Sequence, residues 1–239
     1  MCPAVTARGL SRRIPTMPLP VPHRQSKFAA ADAWFAGAAG QALLASEADC
    51  VRIAGQQWPG QPHLWLGAGA RLLPPATDDI GMPLRLYCAE KGGWAGDLCC
   101  DLPLPVVSES CACVIVQHAL DASPAATALL QECARILLPG GSLWLLALNP
   151  ISPYRLRWQG QGLAASEPIR WRRRLRAAGL NPEPVSQGVG PTWNVAPVLD
   201  VQQGAGLRAA LLLSAHKHRL ARPPMRKPRA LGWRPEVAA

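Results

Sequence analysis

The chain has no apolar run approaching the roughly 20 residues of a membrane-spanning helix, and no apolar block follows Arg8, Arg12 and Arg13 near its start. Neither a span nor a secretory signal is expected, and the reading is of a soluble, cytoplasmic protein with no membrane partner. Acids are scarce: 15 Asp and Glu stand against 25 Lys and Arg, a formal net charge of +10. Phe and Tyr occur twice each, so aliphatic residues and tryptophan must fill the interior. The eight cysteines include no Cys-x-x-Cys pair, which removes the spacing of a zinc or redox site, and a chain of this size does not need a disulfide framework. They are read as small buried hydrophobes, with no metal.

At 239 residues and 49% apolar content the chain can bury one sizeable core. The 25 prolines and 21 glycines predict many loops. Residues 1–26 read as an extension without regular structure, with Met17 as an alternative start. Residues 27–215 read as the folded domain, and 216–239 as a basic, flexible tail.

The organising stretch runs from Ser110 to Trp158. Cys111 to Val116 is a short β-branched, apolar run suited to a buried parallel strand. Ser123-Pro124 supplies a helix start, and Ala126, Leu129, Leu130, Cys133, Ala134 and Leu137 follow at helical spacing. Pro139-Gly140-Gly141 stops that helix before a second apolar strand, Ser142 to Leu148. Two buried strands joined by a helix make a right-handed crossover in a parallel sheet.

Around this unit, residues 28–54 are Ala-rich and helical, opening on Trp34-Phe35. His63 to Leu66 is a short strand running into Gly67-Ala68-Gly69, where glycine allows close backbone approach of a ligand or simply a tight turn. Arg71 follows where a third glycine is absent. Leu84 to Cys88 is a second strand, with Glu90 the nearest acid after it, and Asp97 to Asp101 is an edge strand and loop. Gln117 and His118 follow the Cys111–Val116 strand, where ligands of parallel sheets bind. His118 is the one histidine placed to accept a proton, or else a structural cleft residue. Asn149 is read as a turn residue at a pocket rim with Tyr154, Arg155 and Arg157. Ser166-Glu167-Pro168 opens a helix with the stripe Trp171, Leu175 and Ala178, ending at Gly179. Val185 to Val189 and Leu207 to Ser214 are the last strands, the final one antiparallel. Basic residues gather at Arg170–Arg176 and again from Lys217 to Arg234, a solvated end or a contact for nucleic acid or an acidic partner.

The run from Leu129 to Leu146, with Glu132, Arg135, Ile136, Leu137, Pro139, Gly140 and Gly141, resembles the segment before and through strand five of class I S-adenosylmethionine (SAM) methyltransferases. The Asn149-Pro150-Ile151-Ser152 ending with Arg155 and Arg157 is similar to a small bacterial branch of type-11 methyltransferases. The resemblance implies an α/β fold: a Rossmann-like, seven-stranded, mostly parallel sheet with helices on both faces. It also implies SAM as cofactor and an unidentified methyl acceptor as partner. Gly67, Ala68, Gly69, Glu90, Asp101 and Gln117 would then surround the cofactor and His118 would stand at the cleft. The incomplete glycine loop keeps open an alternative, a methyltransferase-like protein without catalysis that binds a partner through its basic tail.

Overall fold

The computed structural model describes residues 27–72, 83–89 and 93–218. Glu90, the expected N-terminal extension and the tail beyond His218 lie outside the described residues. Helices α1 (Lys27–Ala36) and α2 (Ala38–Gln56) lead into β1 (His63–Gly67) and a 3₁₀ turn at Ala70–Leu72. Strands β2 (Leu84–Cys88), β3 (Trp94–Gly96) and β4 (Cys111–Gln117) follow, then α3 (Ala119–Ala122), α4 (Ala126–Ile136) and β5 (Leu137–Leu148). The described residues continue through α5 (Arg155–Trp158), α6 (Pro168–Ala177), β6 (Leu180–Pro182), β7 (Gln187–Val189), β8 (Gln202–Gln203) and β9 (Ala210–Lys217).

The sheet runs β3-β2-β1-β4-β5-β9-β7-β8, with β6 also paired to β9. Strands β2, β1, β4 and β5 are mutually parallel, and β9 lies antiparallel to β5. Every residue of β4 is buried, because helices cover both faces of a parallel sheet. Cys113 and Gln117 point to α2, where their side chains bond Ala54 O and Glu47. The crossover helix α4 packs with α6 on the opposite face.

The described residues form nine strands, not seven. Part of the excess is β6, which precedes the expected sixth strand Val185–Val189, itself shortened to β7 (Gln187–Val189). In β6 Pro182 lies opposite Ala215, and continuing that register would set Val185 against Leu212. Gln187 takes that place instead. Two residues are looped out around Pro184, whose ring nitrogen cannot donate to a ladder. The two-residue β8 is a further addition at the edge.

Four local expectations shift. The edge strand is Trp94–Gly96 rather than Asp97–Asp101, and it pairs antiparallel with β2. Helix α4 begins at Ala126, since Ser123, which precedes a proline, is extended (φ −82°, ψ 130°). Its hydroxyl instead accepts a bond from Ala125 N (3.1 Å) in the approach to the helix. Leu137 and the Pro139-Gly140-Gly141 turn belong to β5, with Gly140 at φ 86° and a register shift between Cys111 and Cys113 absorbing the bend. Strand β9 continues to Lys217, two residues past the expected end of the domain.

Candidate functional site

Strand order reverses direction between β1 and β4, which are neighbours although two strands separate them in sequence. Crossovers leave such a point on opposite faces, so the carboxyl ends of its two strands diverge into a crevice. Gly67 stands in register with Gln117 at that end, and Ala68 N donates to Gln117 O (3.1 Å). The sequence-selected residues Gly67, Ala68, Gly69, Gln117 and His118 are therefore brought together, and all five are buried.

His118 terminates β4 in the left-handed region (φ 56°, ψ 1°), which costs a non-glycine residue about 1–3 kcal/mol. Its surroundings hold it there. His118 N donates to Leu146 O (2.9 Å), and the ring faces two carboxylates, Asp121 Oδ2 at 3.0 Å from Nδ1 and Glu47 Oε1 at 2.9 Å from Nε2. All three side chains are fully buried. The network extends outward. Gln117 Nε2 donates to Glu47 Oε2 (2.8 Å), Trp65 Nε1 to Gln117 Oε1 (3.3 Å) and Leu148 N to Asp121 Oδ2 (2.8 Å). The Phe35 ring of α1 lies over the imidazole, with centroids 5.0 Å apart.

Burial opposes charge on the imidazole, but the Glu47 carboxylate and the hydrogen bonds to Asp121 and Glu47 outweigh it and raise its pKa from 6.5 to about 10. The ring thus holds a proton on each nitrogen at neutral pH and has no free lone pair toward a substrate in this conformation. Burial pushes the Asp121 carboxyl upward against the pull of His118. Asp121 Oδ1 has no hydrogen-bond partner among the described residues.

The remaining sequence candidates fall elsewhere. Asp101 is exposed beside Gly93, at the carboxyl end of β2. Asp97 is held by Arg85, whose backbone N (2.7 Å) and guanidinium bond it, and the side-chain bond keeps its carboxyl below the ordinary range. Asn149 is fully buried rather than at a rim: its Nδ2 donates to Gly206 O (3.0 Å) and Arg208 O (2.9 Å). Tyr154 is buried as well, bonded to Ala39 O (2.9 Å).

Sequence reasoning passed over Glu47 and Asp121. Glu47 lies one helical turn from both Leu43 and Val51 on the buried stripe of α2. An acid inside an apolar stripe was the available signal, since such a residue is almost never buried without a partner. Asp121, three residues after His118, gave no comparable signal.

The fit of SAM can be tested on the glycine loop. A Cβ at Gly69 would lie 2.1 Å from Asp32 Oδ1, and one at Gly67 would lie 2.1 Å from the Trp65 ring. The small residues needed for a cradle are present, but α1 and Trp65 already occupy the space beside them. In this arrangement Trp65 and Asp32 of α1, rather than open space, border the glycine loop on the side a Cβ would take.

No family model matches the sequence, and no curated protein does. Solved structures do match. A Thermotoga maritima SAM-dependent methyltransferase, described as a possible histamine N-methyltransferase, superimposes with a TM-score of 0.56 at 15% identity, over 78% of this chain and 94% of that one. A SAM-dependent methyltransferase from Archaeoglobus fulgidus gives a TM-score of 0.51 at 12% identity, over 73% of this chain and 93% of its own. With the β3-β2-β1-β4-β5-β9 order and its crevice between β1 and β4, the chain has the class I SAM-dependent methyltransferase fold.

Proposed function

We propose that the protein is a SAM-dependent methyltransferase whose cofactor crevice, at the carboxyl ends of β1 and β4, is closed by α1 and opens when α1 is displaced. The observation that carries this reading is the convergence of Gly67-Ala68-Gly69 with Gln117-His118 at the reversal of strand order. Asp101, on the same edge of the sheet, would line the outer part of the crevice. His118 serves as a positioning residue in this reading, because both its nitrogens are engaged. The acceptor is an unidentified nucleophile.

A second reading rests on the filled cradle: a methyltransferase-like protein in which Trp65, Asp32 and Phe35 have made the crevice part of the core. Calorimetric titration with SAM and S-adenosylhomocysteine separates the two. Micromolar binding that Gly69→Arg abolishes and Phe35→Ala strengthens supports the enzyme. Absence of heat at millimolar ligand, for folded wild type and for Phe35→Ala alike, leaves the second reading standing.

A further inference from the structure

Large hydrophobic side chains exposed to solvent are unevenly spread over the described surface. Of eleven, only Ile53, Val107, Ile169 and Val185 lie elsewhere, and seven lie between Ile151 and Leu156 or between Trp193 and Leu207. The most exposed of these are Leu156 (68%), Leu199 (64%), Ile151 (63%) and Trp193 (57%). The two segments form one surface. Arg157 Nη2 donates to Trp193 O (2.9 Å), Ser152 Oγ to Leu207 O (2.8 Å) and Asn149 Nδ2 to Gly206 O (3.0 Å). Beside this surface, between the α1–α2 junction and α5, an open trough of about 570 Å³ is bordered by Trp34, Ala39, Leu156 and Arg157.

The unpaired charge on the surface has one sign. Arg155 and Arg157 are exposed, and Asp200, the one acid of the two segments, already pairs with Arg208 at 3.4 Å. A two-fold interface with a second copy would bring two surfaces of the same basic excess together. Nucleic acid would satisfy the arginines but offers nothing to aliphatic tips such as Leu156 and Ile151. A bilayer surface satisfies both, since tryptophan and aliphatic side chains enter the boundary of the acyl region while guanidinium groups remain at lipid phosphates.

We propose that this surface, Ile151–Arg157 with Trp193–Leu207, docks the protein peripherally on an anionic lipid bilayer. The absence of a spanning helix among the described residues does not bear on such binding, and the inference stands independently of the methyltransferase reading.

The test is co-sedimentation of the full-length protein with vesicles of phosphatidylcholine alone or mixed equally with phosphatidylglycerol. Binding is expected to the mixed vesicles, to weaken with salt and to fall about tenfold or more in the Leu156→Ser/Trp193→Ser variant, which loses apolar contact without a change of charge. Brominated acyl chains should quench tryptophan emission in the wild type and less in Trp193→Phe. Both variants change side chains more than half exposed, so their urea midpoints should match the wild type and report on folding. Vesicle binding untouched by the double serine variant would assign the affinity to the basic residues after Lys217 and overturn the proposal. Absence of vesicle binding would overturn it too, as would a dimer in light scattering that the double variant dissolves, or an acidic protein that competes while vesicles do not.

Discussion

Glu47 offers the sharpest test of the buried network. Its two oxygens accept from His118 Nε2 (2.9 Å) and Gln117 Nε2 (2.8 Å) with no exposure to water. Glu47→Ala removes both acceptors and leaves an imidazolium facing one carboxylate in a cavity. Breaking a buried ion pair from one side costs about 3–5 kcal/mol. Glu47→Gln keeps the shape but turns an amide N–H toward a donor, an unmade buried bond worth about 1–3 kcal/mol. Urea unfolding at pH 7 should therefore rank wild type above Glu47→Gln above Glu47→Ala, with m unchanged. The pH dependence follows from linkage. The imidazole pKa is about 10 when folded and near 6.5 when unfolded. Its contribution is fully present below pH 6.5 and lost as pH rises through 10. The stability gap between wild type and Glu47→Gln should narrow over that window. A gap below about 0.5 kcal/mol at pH 7, unchanged at pH 10, would refute an ionised network.

Two further outcomes are expected. Asn149→Ala leaves the carbonyls of Gly206 and Arg208 without their shared donor, so stability should fall by about 1–3 kcal/mol, and proteolysis in the Ala205–Arg208 loop should quicken before the core opens. Burial pushes the thiols of Cys88 and Cys133 up to about 12 and Cys113 to about 11. A thiol reagent at pH 8 should label exposed Cys99 rapidly and reach those three only in denaturant. Rapid native labelling of Cys133, read by peptide mass mapping, would contradict the packing of α4.

Much of the fold was legible in the order of residues because its signals are local. The continuous apolar run Cys111–Val116, the stripe Leu129, Leu130, Cys133 and the Pro139-Gly140-Gly141 turn each reflect chain geometry over a few residues, and together they imply a parallel crossover. Element ends were less legible where two local preferences compete. Ser123 can cap a helix, yet the proline after it forces Ser123 to be extended, and the helix starts later. The appearance of β6 ahead of β7 depends on a register with β9, a partner some thirty residues away in sequence, which no local pattern expresses.

By itself, the sequence determined the α/β crossover architecture, the placement of Gly67-Ala68-Gly69 and Gln117-His118 at strand ends, and the excess of positive charge, since these follow from periodicity, turn chemistry and composition. Only the tertiary structure decided what those strand ends meet. The packing of α1 and α2 brings Asp32, Phe35 and Glu47, which precede the groups they approach (Gly69, Gln117 and His118) by 37 to 83 residues, into a crevice whose chemistry they change. A histidine read alone has a pKa near neutrality and a free nitrogen. Enclosed between two carboxylates away from water, the same residue is a cation with no free site, and that difference is electrostatic and long-range in sequence.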